Sequence, residues 1–156
     1  MMRLLKSRGL LVALVAALIP VFLAVVVTVG QILLSTGVLI PDFHFGYSAS
    51  DLGGLLERMG ADGRRLFARV LWLDWLNPAL YTLVLGVGLA RLDAPRWQFL
   101  VPLLAGLLDY AENTASRLAL SVYPDAVPGW GGLVSPVKHL ALVAALFLVW
   151  RALRRS

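Results

Sequence analysis

Asp109, Glu112 and Asn113 stand at i, i+3 and i+4 within the apolar stretch QFLVPLLAGLLDYAENTASRLAL, residues 98–120. On a helix that spacing puts two carboxyls and an amide on one face, with Ser116 one turn further along the same stripe. Asp74, Asn77 and Tyr81 form a second such set, at i, i+3 and i+7 of another apolar run. Lys138 and His139 open a third. Carboxyls gathered out of water hold protons with altered affinity, which suits general acid/base work or the binding of a proton or cation. The candidate catalytic groups are therefore Asp109, Glu112, Asp74 and Lys138, the lysine orienting substrate or offsetting developing charge. Asn113, Asn77, Tyr81, Ser116 and His139 are the candidate ligand-binding groups around them. Asp109, Glu112 and His139 have the donor types of a metal site, but no HExxH or comparable spacing supports one, so no metal is expected.

The elements that must position these groups have membrane length. Apolar runs recur at about 10–34, 70–90, 98–120 and 136–153 and nearly exhaust the 156 residues. Sixty per cent of the residues are apolar and the mean hydropathy is +0.82, above the range of soluble domains. The expectation is an all-α fold, an integral membrane four-helix bundle forming a single membrane domain over 1–156. Charge inside hydrocarbon is costly and turns toward a bundle interior or a wet cavity, so the polar stripes should face one another.

Basic residues set the orientation. Arg3, Lys6 and Arg8 precede the first run, Arg91 and Arg96 flank the second linker, and Arg151, Arg154 and Arg155 close the chain. The positive-inside rule makes that side cytoplasmic, with both termini cytoplasmic in the cell inner membrane. Arg58, Arg64, Arg65 and Arg69 lie on the other side, offset by Asp42, Asp51, Glu57 and Asp62. A net charge of +5 arranged in this way argues for topology, and nucleic-acid binding is not expected. The absence of cysteine excludes a disulfide framework and thiol redox chemistry.

Along the chain, the first run is too long for a cleaved signal and reads as a retained span that continues to Ile40 and stops at Pro41. Residues 41–68 form an external linker with a short amphipathic helix at about 51–60, capped by Asp51. That helix lies on the headgroups or, with the FHFGYS loop, makes a lid over the polar site. Asp62 reads as the N-cap of the helix leading into the second span. Pro78 withholds a donor from the Asp74 carbonyl and kinks that span. Trp72 and Trp75 read as interfacial anchors. Ser135–Pro136 has the form of an N-cap and first helical residue, which puts Lys138 in the first turn of the last span.

Helical rise places the acids at a common depth. Asp74 is five residues from Arg69 and Glu112 five from Arg117, about 7–8 Å each, with Asp109 at about 12 Å and Lys138 at about 3 Å below Pro136. Three readings follow from such a cluster. The first is a membrane-embedded site for a lipid-like or amphiphilic small molecule, with acid/base chemistry by Glu112 or Asp109. The second is a proton- or cation-coupled transporter acting as a homodimer, and the third a structural network in a subunit with a membrane partner protein. No motif specifies a cofactor.

The segments GLLDYAEN at 106–113, LDWLNP at 73–78 and GADGRRLF at 60–67 resemble a type of small bacterial four-span membrane protein. The Gly-x-x-Asp-x-x-Glu-Asn stripe is the most specific part, and the likeness runs from about 50 to 150. It implies the four-span fold and the stripe as the site, and no activity, substrate or cofactor.

Overall fold

The computed structural model describes residues 7–155, so Arg3 and Lys6 of the basic flank lie outside the described residues. The described chain is all helical: α1 (Arg8–Thr36), α2 (Ala49–Leu73), α3 (Asn77–Arg91), α4 (Leu100–Val122) and α5 (Gly131–Leu153), with 3-10 turns at Pro41–Phe43 and Arg96–Phe99. Only a three-residue turn separates α2 from α3, which together make one broken helical stretch, Ala49–Arg91. Among the described residues, three stretches are long and apolar enough to cross a membrane: Arg8–Thr36, Ala49–Arg91 and Gly131–Leu153. Helix α4 has comparable length at 23 residues but carries Asp109, Glu112 and Arg117.

Two ends of the bundle can be told apart. At one, the α3–α4 linker meets the last turns of α5; at the other, the loop 41–48 seats against the first turns of α5. Helix α1 runs unbroken through Pro20 and ends at Gly37, whose left-handed backbone (φ 68°) returns its N–H to the Leu33 carbonyl. It therefore stops four residues before Pro41, because the glycine can take the C-cap conformation and close the helix.

At the loop end, Val29 and Ile32 of α1 and Val38 and Ile40 beyond it are buried against Leu52, Leu55, Leu56, Met59 and Phe67 of α2. The leucine face of α2 is thus covered by the protein itself and not presented to headgroups. Ser48, not Asp51, caps α2: Ser48 Oγ accepts from the Asp51 N–H, and the Asp51 carboxylate accepts from the Ser48 N–H, a capping box. The first helical segment runs to a break near residue 60, close to the expected end of the short helix. The helix breaks at Gly60 (φ 63°) and resumes to Leu73, with Arg64 donating to the Leu56 carbonyl across the break. Asp62 pairs with Arg65 and caps nothing.

Helix α5 starts at Gly131, about a turn before the expected start, so Ser135 and Pro136 lie inside it. Lys138 is consequently seven residues into the helix, about 10 Å at helical rise and not in the first turn. Helix α4 likewise continues past Arg117 to Val122, which sets Glu112 about 15 Å and Asp109 about 20 Å from that end. Both corrections carry the charged groups toward the middle of the bundle.

Candidate functional site

The centre of the site is the Lys138 ammonium. Its Nζ lies 2.5 Å from Glu112 Oε2, 3.3 Å from Asp109 Oδ1 and 3.5 Å from Asp42 Oδ2. Glu112 is completely buried and Asp109 and Lys138 nearly so. The helical spacing of α4 turns Asp109 and Glu112 together toward α5, the neighbour against which α4 packs most extensively. Gly131 belongs to the same seam: a Cβ there would meet Tyr47 Oη at 2.7 Å and Ala115 Cβ at 2.8 Å.

Asp42 and Tyr47 were not among the residues singled out by sequence. Both come from the loop after α1. Asp42 sits in the 3-10 turn Pro41–Phe43, and the Tyr47 hydroxyl donates a long, 3.5 Å hydrogen bond to Glu112 Oε1. Burial first, and then the charge of Glu112, push the Tyr47 hydroxyl well above the ordinary tyrosine range, so it remains a neutral donor. Fully buried Ser116 is within reach of the same hydroxyl. The loop can come this close because residue 132 is glycine: any Cβ there would run into the backbone of Tyr47. Ser135 adds a tether, its Oγ donating to the His44 carbonyl at 3.0 Å.

Asp74 heads a second, adjoining set. Its carboxylate accepts from Asn113 Nδ2 at 2.8 Å and from Asn77 Nδ2 at 3.1 Å. It occupies the C-cap of α2, and its carbonyl accepts from the Asn77 N–H at 3.2 Å, so the oxygen that Pro78 leaves free is taken locally. Tyr81 Oη donates to Asp109 Oδ2 at 3.1 Å and ties α3 to the lysine centre. Asn113 follows Glu112 on α4, so that helix supplies groups to both sets.

His139 stands apart from both. Its Nδ1–H donates to the Ser135 carbonyl at 2.7 Å, and its ring lies 6.0 Å from that of Phe45. One residue beyond Lys138, it is rotated about 100° around the helix, away from the seam. Trp72 and Trp75 hold a cation: the Arg117 guanidinium stacks on both rings, at 4.2 and 4.6 Å, while donating to the Leu71 carbonyl.

On the linker side of the centre α4 packs closely on α3. Gly106, one turn before Asp109, packs so tightly on α3 that a Cβ would collide with the Thr82 hydroxyl and approach the Pro78 carbonyl at 3.3 Å. Thr82 Oγ1 also donates to the Pro102 carbonyl at 3.2 Å. Toward the loop end, Tyr47 stands between Glu112 and a cavity of about 280 Å³ lined by His44, Ser50, Asp51 and Arg58 among others.

Chemically, three carboxyls surround one ammonium; with all four ionised the charges sum to −2. One oxygen from each of Asp42, Asp109 and Glu112 lies within 4.8 Å of the others, a spacing a metal ion could bridge if Lys138 withdrew. No protein-family model, curated protein or solved structure matches this chain.

Proposed function

We propose that the chain is a multi-pass inner-membrane protein, with both termini cytoplasmic, whose carboxylate cluster binds an amphiphile through its headgroup from the loop side. Its outward face supports the membrane part of this reading: Phe22 and Val27 of α1, Leu104 and Leu107 of α4, and Leu140 and Val143 of α5 are all exposed. Helix α4 is the fourth span, its two acids buried and Arg117 half-buried against Trp72 and Trp75.

One observation carries the binding reading. On the linker side of the cluster Gly106 packs tightly on Thr82, and on the loop side Tyr47, which donates to Glu112, lines a cavity of about 280 Å³. A one-sided site binds and releases on the same side, whereas a transporter needs a second exit. The excess of carboxylates selects a cationic or hydrogen-bond-donating headgroup, and its alkyl chain runs along the apolar outer face. Glu112 and Asp109 then hold or release a proton next to the headgroup, with Lys138 compensating the charge. Asn113 and Asn77 fix Asp74 as an acceptor beside them.

The three-oxygen spacing favours a second reading, a cation-coupled transporter, in which an incoming cation replaces the Lys138 ammonium and a dimer supplies the missing exit. Mass spectrometry of gently purified protein separates the two. The binding reading predicts a co-purified amine- or hydroxyl-bearing amphiphile that is absent from Asp109→Asn/Glu112→Gln protein. Identical lipid content in both proteins contradicts it.

A further inference from the structure

A second cavity, of about 400 Å³, lies at the opposite end of the bundle and shares no lining residue with the carboxylate cluster. It opens between the α3–α4 linker and the last turns of α5, with Asp93, Pro95 and Arg155 exposed at its rim. Three arginines from two separate elements line it: Arg91 at the end of α3, and Arg151 and Arg155 from α5 and the residues just after it. With Asp93 their formal charge sums to +2. The buried side chain of Gln98 contributes a neutral amide to the wall. Arg154 is turned away onto the Trp150 ring, 4.1 Å from its centroid, so the two arginines flanking it in the sequence are the ones that line the cavity.

A topology signal requires basic residues on one side of the membrane and nothing more. It requires neither convergence from different elements nor a cavity between them. Guanidinium forks converging on a concave site match the planar, multi-oxygen geometry of phosphate, and basic pockets between helices on the cytoplasmic side are where anionic headgroups lodge. We infer that this cavity is a phosphate-binding site, occupied by the headgroup phosphate of an anionic lipid or by free phosphate. Arg151 and Arg155 supply the charge and Gln98 a neutral donor. The lipid source rests on the membrane reading above; the free-phosphate source does not.

The test uses full-length protein in a neutral detergent, with native mass spectrometry of adducts formed with phosphatidylglycerol, phosphatidylcholine or inorganic phosphate. Wild-type protein should retain phosphatidylglycerol over phosphatidylcholine, and Arg151→Gln/Arg155→Gln should lower that retention by about thirtyfold. Ala152→Phe fills the cavity without altering any charge or the topology signal, and should lower retention as well. Arg96→Gln removes a charge from the same linker outside the cavity and should leave it unchanged. Displacement of the lipid by inorganic phosphate assigns the site to phosphate itself; lipid held against phosphate, yet lost in both cavity variants, assigns it to the headgroup. The inference is overturned if wild type shows neither the lipid preference nor phosphate binding, or if both cavity variants retain lipid as wild type does. None of these variants touches Asp109 or Glu112, so failure here leaves the amphiphile site standing.

Discussion

Replacing Lys138 with methionine removes the one ammonium among three carboxyls while keeping the length and flexibility of the side chain. Its Nζ sits 2.5, 3.3 and 3.5 Å from Glu112, Asp109 and Asp42. At an effective dielectric near 20, each contact carries a gross attraction of about 5–7 kcal/mol. Desolvation and repulsion among the acids cancel most of that, and truncating one partner of a buried pair leaves a net cost of about 3–5 kcal/mol. The assay is reversible unfolding of the detergent-solubilised protein by sodium dodecyl sulfate, for Lys138→Met, Glu112→Gln and the double variant. Since Glu112→Gln removes the charge that Lys138→Met strands, the double variant should recover at least about 1 kcal/mol relative to the sum of the singles. Were Lys138→Met to cost under about 1 kcal/mol, with the two changes additive, the lysine would not be the counter-ion of this cluster.

Other consequences are narrower. Gly106→Ala should destabilise by about 1–3 kcal/mol through overpacking against Thr82, while Gly86→Ala, with open space at its Cβ, should be neutral or stabilising in the same unfolding assay. Gly132→Ala pushes into the backbone of Tyr47, so amide hydrogen exchange should accelerate across the loop 41–48 with α4 protection retained; unchanged exchange would mean that the loop is not seated there. Because the Tyr47 hydroxyl is held above the ordinary value, the ultraviolet tyrosinate step near pH 10 should keep its amplitude in Tyr47→Phe. The sign for stability follows: Tyr47 stabilises below its unfolded value, about 10, and that contribution is lost as pH rises toward the higher folded value. A drop in the step by one tyrosine would place Tyr47 in water.

Much of this arrangement was legible in the chain, and for identifiable reasons. Runs of apolar residues locate helices because backbone satisfaction in an apolar surrounding leaves little alternative. The i, i+3, i+4 stripe located the α4 face because side chains at that spacing must share a side. Asp42 and Tyr47 escaped because they reach the cluster from a loop, across 96 and 65 residues of sequence, where no periodicity records direction. The available signals were Gly131 and Gly132, which leave room for a close approach, and the aromatic–glycine composition of FHFGYS. His139 lies off the cluster for the opposite reason: adjacency to Lys138 in sequence is a turn of about 100° on a helix. The start of α5 was misread because Ser-Pro imitates an N-cap even when, as here, it lies inside a helix already begun at Gly131. The close packing at Gly106, the first residue of the Gly-x-x-Asp-x-x-Glu-Asn stripe, left no sign in the sequence of what it meets, since its partner Thr82 belongs to another helix.

The central claim is that an acid-rich, one-sided site recognises a cationic or hydrogen-bond-donating headgroup. Calorimetric titration of the protein, in a detergent with a neutral headgroup, with dodecylammonium and with dodecyl sulfate tests it most directly, each corrected for mixing with empty micelles. Carried out on Arg151→Gln/Arg155→Gln protein, so that the arginine-lined cavity does not take the sulfate, the titration should show binding of the ammonium and not the sulfate, and adding Asp109→Asn/Glu112→Gln should weaken ammonium binding by about tenfold or more, the loss of charged hydrogen bonds. Equal affinity for the two headgroups, or ammonium binding undiminished by Asp109→Asn/Glu112→Gln, would contradict it.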